Sequence, residues 1–261
     1  MGKTQDYTIG SVKRALEILK LFGDCNSSLT LSELSKMSGI GKSSMLRVLY
    51  TLVNEDFVSY DEESKRYSLG IEIYRLGMNK YNTLELDTII HKHLRKLSDA
   101  TDMICYLGVR QGDILLMVDQ VVPRSVPTWM QLMTSTGGIS QLYSTGIGRL
   151  FLAQNSDDEV EAYLNRVEIK KFTEDTVTDK ATLLELVREA RRERFSGCIG
   201  ENEPYIYSLC APVYDVHGIM RAGISLCGLK DVLSSDHYDD YVSLVRQTAI
   251  DISRETGYAG S

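Results

Sequence analysis

The chain has 261 residues, 43% hydrophobic and 25% charged, the balance of an ordinary soluble globular protein with one large domain or two average ones. No apolar run approaches the roughly 18 residues of a membrane span, and residues 1–18 lack the apolar core of a secretory signal. The net charge of −7 counts against a nucleic-acid surface along the whole chain, yet residues 1–54 carry +3 and the remainder −10.

Gly2 could open a myristoylation motif, but Asp6 stands where that motif needs Ser or Thr. Five scattered cysteines without a CxxC give no disulfide framework, so a reduced, cytoplasmic protein is expected.

In chain order, Ser11 caps an expected first helix with Val12, Ala15, Leu16, Leu19 and Phe22 on one face and Gly23 as its stop. After the polar loop "CNSSLT", Ser32 is expected to cap a second, short helix, with Glu33 in its first turn and Gly39 at its end. A third helix is expected from about Lys42 to Asn54. Its apolar stripe is Leu46, Leu49, Leu52 and Val53, and the opposite side carries Ser43, Arg47, Tyr50, Thr51 and Asn54. A merely solvated helix face would show the same five residues.

Gly41-Lys42-Ser43 also resembles the end of a phosphate-binding loop. That loop needs a glycine at the position held by Lys36, and a buried strand before it. The preceding "LSELSKM" has helical spacing instead, so a nucleotide-binding enzyme is excluded.

The segment "FVSY" (57–60) reads as a strand, "DEESK" (61–65) as a turn and "RYSLG" (66–70) as the returning strand. Three helices followed by a hairpin make a winged helix-turn-helix.

Residues 71–97 read as helical again, a linker helix leading into a second domain. Strands are then expected at 103–109, 114–121, 207–215 and 220–229, with helices around "EVEAYL" and "ATLLELVREARRERF" and a closing helix from about 236 to 256. The expected class is α+β: a winged helix-turn-helix domain (1–70), a linker and first helix (71–100), and an antiparallel sheet flanked by helices (101–261).

The ordered set of motifs resembles the IclR family of bacterial transcription regulators. The head "SVKRALEILKLF" through "RYSLG" is similar to its winged helix domain, and "LYSTGIGRLFLA" (142–153) to its Thr-Ala-x-Gly-Lys segment, with Arg149 in place of lysine. "FTEDTVTD" (172–179) resembles the family's paired-threonine loop, and "CAPVYDVHGIMRAGISLCG" its paired central strands. Met45 stands where threonine is common, and the chain is about three residues shorter than many relatives between Gly197 and Pro212.

The resemblance implies a GAF-like effector-binding fold in the second domain and a partner in double-stranded DNA. Helix-turn-helix docking directs Ser43, Ser44, Arg47, Tyr50 and Thr51 toward base edges, with Arg47 the residue suited to guanine. Lys42 and Ser43 sit at the positive end of the helix, where phosphate is favoured, and Lys13, Arg14, Lys65 and Arg66 would add backbone contacts. One such domain touches too little DNA for selectivity, so paired half-sites and a homodimer are expected, and the family adds a dimer of dimers.

Gly146-Ile147-Gly148 repeats the Gly-Ile-Gly of 39–41 at a second helix start, where exposed amides favour an anion. By resemblance, Gly146 and Ile147 border a pocket for a small organic acid. The same likeness points to Ser225 and Cys227 on one strand face, with Trp129, Leu132, Ser140, Ile206 and Ser208 around them, and to Glu201 or Glu203 as the acidic position. Each of these has a plain alternative as core or as a backbone-bonded side chain.

No Gly-x-Ser-x-Gly elbow, Cys/His signature or metal-ligand spacing occurs, so neither enzyme, cofactor nor metal is expected. A repressor is preferred to an activator. The competing reading is a small-molecule sensor with no direct DNA role.

Overall fold

The computed structural model describes residues 7–25, 28–82, 87–126, 137–233 and 236–260. They fall into two compact units, Met1–Glu85 and Leu86–Ser261.

In the first unit, α1 spans Gly10–Cys25, starting before Ser11 and passing through Gly23. Its buried stripe is Ile18 and Phe22, with Ala15 and Leu19 packed beside them, while the expected core residues Val12 and Leu16 are exposed. The observed stripe keeps Ala15, Leu19 and Phe22 and is rotated by only about a sixth of a turn, because Ile18 takes the place of Val12 and Leu16.

Strand β1 (Leu29–Thr30) leads straight into α2 (Leu31–Ser38). The cap of α2 is Thr30, not Ser32. Thr30 Oγ1 accepts from the Glu33 amide at 3.3 Å, and Glu33 Oε2 accepts from the Thr30 amide at 2.7 Å. This reciprocal box satisfies two amides that the first turn leaves without helical partners. Gly39 ends the helix at φ +70°, a left-handed conformation that glycine adopts without strain.

Helix α3 covers Lys42–Asn54, as the spacing predicts, but buries Met45, Leu49 and Leu52. Leu46, expected in the core, is exposed. The four–three spacing from Met45 to Leu52 holds the inward face and leaves Leu46 on its flank.

Strands β2 (Val58–Asp61) and β3 (Arg66–Leu69) form the antiparallel wing, with Val58 opposite Leu69 and Asp61 opposite Arg66. Strand β1 adds to β3, so the small sheet has the order β1-β3-β2. Val58 and Tyr67 close the unit's core. Helix α4 (Ile71–Asn82) follows and exposes Ile71 and Tyr74.

The second unit begins with α5 (Asp87–Thr101) and the hairpin β4 (Ile104–Gln111) and β5 (Ile114–Val121). Then come β6 (Ile139–Gln141), α6 (Gly146–Leu152), α7 (Asp157–Arg166) and α8 (Lys180–Glu193). Strands β7 (Ser196–Ile199), β8 (Ile206–Tyr214) and β9 (Met220–Leu229) follow, then one helical turn α9 (Lys230–Leu233) and the closing α10 (Tyr238–Glu255).

Among the described residues, the sheet runs β6-β5-β4-β9-β8-β7, antiparallel throughout. Leu209, Ala211 and Val213 of β8 and Ala222, Ile224 and Leu226 of β9 face α5 and α10, forming one core with Ile90, Leu94, Val245 and Ile252. The alternate residues face the other way, toward α6, α7 and α8, as the period of two requires. Helices on both faces of one antiparallel sheet give an α+β unit whose second face is only partly filled. No described helix is long and apolar enough to cross a membrane.

Candidate DNA-reading helix and effector cavity

On α3, Lys42, Ser43, Ser44, Arg47, Tyr50, Thr51 and Asn54 are all exposed, opposite Met45, Leu49 and Leu52. No acidic residue lies between Lys42 and Asn54. Gly41 occupies the cap position without a side-chain hydrogen bond, so Gly41 leaves the first amides of the helix uncapped. Thr51 donates its hydroxyl to the Arg47 carbonyl at 3.1 Å, which leaves the Arg47 guanidinium itself uninvolved in that bond.

The outlying basic residues differ in their engagement. Lys13 lies 3.8 Å from Glu17 on an open helix face, and Arg14 beside it is exposed. Lys65 is exposed at the wing's turn with φ +57°. Arg66 is turned inward: its Nε donates to the Ser28 carbonyl and hydroxyl at 3.1 and 2.9 Å, and its Nη2 reaches Ser28 O at 2.6 Å and Glu33 Oε2 at 3.3 Å. In the free chain this arginine ties β3 to the entry of α2.

In the second unit a cavity of about 410 Å³ opens on the face of the sheet toward α6. Its floor follows from strand register. Cys198 pairs with Ser208, Ser208 with Cys227, Cys210 with Ser225, and Ser225 with Tyr106, so all of them share one face. These small thiols and hydroxyls leave space where larger side chains would fill it. Ser225 Oγ and Cys227 Sγ lie 3.0 Å apart.

Gly146, Ile147, Ser140, Glu201, Glu203, Ile206, Ser208, Ser225 and Cys227 all line this cavity. Trp129 and Leu132 lie outside the described residues. Tyr106, Leu115, Met117, Phe172 and Asn202 line it too and were not anticipated. Their sequence contexts are those of ordinary core or loop residues, and only the register of β4 and β5 brings the first three to the floor.

Thr145 caps α6, its Oγ1 accepting from the Gly148 amide at 3.1 Å. Packing by itself requires both glycines here. A Cβ on Gly148 would stand 2.3 Å from the Leu142 carbonyl oxygen, and one on Gly146 would stand 2.6 Å from Cys210 Sγ.

Arg149, the basic residue after this turn, points away into the protein interior and is 1% exposed. Its Nη2 lies 2.5 Å from Glu201 Oε2, and its Nε donates to the Tyr143 carbonyl at 3.1 Å. Glu201 is held further by the Val177 amide at 3.3 Å and by the Thr176 hydroxyl, which donates to its carbonyl at 2.6 Å. Thr173 donates to the Gly200 carbonyl at 2.6 Å, so both threonines of 172–179 fasten the segment that carries Glu201. Nothing in the sequence announces a pair 52 residues apart; only the fold joins them.

Glu201 and Glu203 are the charged side chains among the described lining residues. Burial holds the Glu203 carboxyl above its ordinary pKa. Burial also raises the thiols of Cys198 and Cys210, and pushes that of Cys227 up to about 12, so all three are neutral at physiological pH. A neutral thiol is neither a nucleophile nor a ready metal ligand. Among the described residues, no group of three His, Cys, Asp or Glu is placed to hold a metal ion.

The family profile for the IclR helix-turn-helix domain matches residues 11–62, and that for the bacterial transcriptional regulator IclR C-terminal domain matches 78–254. The chain is 28% identical to the HTH-type transcriptional regulator KdgR of Escherichia coli (strain K12), over 97% of this chain and 95% of that one. It is 24% identical to the transcriptional repressor IclR of the same strain, over 95% and 90% of the two chains. The crystal structure of the IclR transcriptional regulator from Alicyclobacillus acidocaldarius superposes with a TM-score of 0.81 at 26% identity, covering 96% of this chain and all of that one. With both halves matched in order, the chain belongs to the IclR family of DNA-binding transcription regulators.

Proposed function

We propose that α3 enters the major groove of an operator and that a small organic acid in the cavity controls this binding. The observation that carries the first part is the acid-free, hydrogen-bonding face of α3 set against a buried Met45/Leu49/Leu52 stripe. Arg47 reads guanine, Ser43, Ser44, Tyr50 and Thr51 reach neighbouring edges, and Lys42 holds phosphate at the helix start. Lys13, Arg14 and Lys65 add backbone contacts.

Recognition of this kind uses two copies on paired half-sites, so the working unit is a homodimer or a dimer of dimers. Residues 1–70 serve as the DNA-binding domain and 101–261 as the effector domain, with 71–100 between them. The protein acts in the reducing cytoplasm, where its described cysteines stay free.

A cavity of about 410 Å³ suits a small metabolite. The acid's carboxylate is received by the amino end of α6 and the hydroxyls of Ser208 and Ser225, and its polar remainder lies toward Glu203. Occupancy lowers operator affinity, a repressor's response, because the ligand prefers the state that binds DNA poorly. The name of the repressor IclR among the relatives supports that direction.

Two measurements test this. Arg47→Ala weakens the gel shift of DNA upstream of the protein's own gene by about 1–3 kcal/mol per half-site while leaving the melting temperature in place; unchanged affinity ends the role of α3. A thermal-shift screen of small carboxylates and sugar acids finds a stabilising ligand; no shift from any of them removes the cavity assignment.

A further inference from the structure

Leu46 stands on α3 beside Arg47 and one turn before Tyr50, and it is 49% exposed while Tyr50 is 68% exposed. The helix packs through Met45, Leu49 and Leu52, so Leu46 adds nothing to the inward stripe. A leucine and a tyrosine four residues apart on a helix share one side and make a continuous apolar strip. Around that strip lie Ser43, Arg47 and Lys42, without an acidic residue on the helix, so its surroundings suit a polyanion. The apolar group that a major groove offers at its base edges is the C5 methyl of thymine.

We propose that Leu46, backed by Tyr50, is a specificity-determining residue that packs on a thymine methyl group in each operator half-site. This rests on the reading that α3 enters the major groove. Since Leu46 and Arg47 are consecutive, the thymine lies within about two base pairs of the guanine that Arg47 grips.

The test selects binding sites from a random duplex library with the full-length protein and with Leu46→Ala, Leu46→Met and Arg47→Ala. Each selected thymine is then replaced by deoxyuridine, which removes only the methyl group. The wild type loses about fourfold in affinity at one thymine per half-site, the worth of one buried methyl. Leu46→Ala is indifferent to that replacement, and Leu46→Met, which keeps an apolar side chain of similar volume, retains the preference.

Thymine-over-uracil discrimination that survives in Leu46→Ala overturns the proposal. So does a Leu46→Ala variant that changes oligomeric state with unaltered base preference, since Leu46 would then serve a second copy of the chain. If Arg47→Ala also selects the wild-type sequence, the placement of α3 in the groove is what has failed. If Arg47→Ala alone alters the selected site, that placement stands and only the role of Leu46 falls.

Discussion

The guanidinium of Arg149 and the carboxylate of Glu201 meet at 2.5 Å with exposures of 1% and 5%, joining the first turn of α6 to the segment beyond β7. Two ions withdrawn from water are tolerable only when each is fully bonded. Here the Tyr143 carbonyl, the Val177 amide and the Cys198 thiol supply the remaining partners. The pair thereby ties α6 to the segment that carries the cavity residues Glu201 and Glu203. Arg149→Ala would leave a buried carboxylate without its cation, a loss of about 3–5 kcal/mol. Urea unfolding followed by the fluorescence of Trp129, the chain's single tryptophan, measures it. The double variant Arg149→Met/Glu201→Gln recovers most of the loss; a single variant as stable as wild type would show that water already reaches the pair.

The two glycines of α6 should respond differently to alanine. At Gly148 the new methyl group meets the Leu142 backbone at 2.3 Å, and backbone cannot step aside. At Gly146 its nearest neighbour is the Cys210 thiol at 2.6 Å, a small side chain, with the Ser196 carbonyl oxygen further off at 3.2 Å. Gly148→Ala is expected to destabilise by about 1–3 kcal/mol whatever else is changed. Gly146→Ala is expected to regain stability when combined with Cys210→Ala, a coupling that a double-mutant cycle reads directly.

Much of this was legible in the sequence where one period governs a whole element. Helix α3 and strands β8 and β9 follow their expected bounds closely, because 3.6- and 2-residue spacings are written in their own residues. What could not be read was which of two neighbouring apolar residues turns inward. Met45 and Leu46 are one step of the helix apart and Leu16 and Ile18 two, and the packing of neighbouring elements decides between them. The cap of α2 was misplaced by two residues for the same reason: Ser32 and Thr30 are equal candidates until β1 brings the chain into the helix. The cavity residues came from likeness to a family, and their grouping follows from the register of β4, β9, β8 and β7. The Arg149–Glu201 pair had no local signal at all.

Glu203 makes the proposed acid binding sensitive to pH. Burial raises its carboxyl pKa above the ordinary 4.5, so as pH falls from neutrality it gains its proton earlier than a free carboxylate does. A bound anion beside it would raise that value again, so binding takes up protons and affinity increases toward lower pH. The same sign applies to stability: this group favours the folded state below 4.5 and loses that contribution as pH rises through its raised value. A 2-oxo acid, ionised throughout this range, is the suitable titrant for calorimetry between neutral and mildly acidic pH. Glu203→Gln is expected to tighten binding at neutral pH and to flatten the pH dependence; an unchanged slope would place the ligand away from Glu203.

Lys42 and Arg47 should separate by how they fail. A phosphate contact contributes the same amount on every sequence and releases counterions, so it is visible in the dependence of affinity on salt. Lys42→Ala is expected to weaken specific and random duplexes by the same factor. In a dimer two copies of the contact are lost, so the slope of log K against log salt falls by about 1.8 rather than the 0.9 of one contact. Arg47→Ala should leave that slope nearly intact and instead erase the preference for guanine at one position per half-site, costing about 1–3 kcal/mol each. Filter binding across a salt series with both duplexes distinguishes the two. A Lys42 variant that changes selectivity but not slope would move that lysine from the phosphates to the bases.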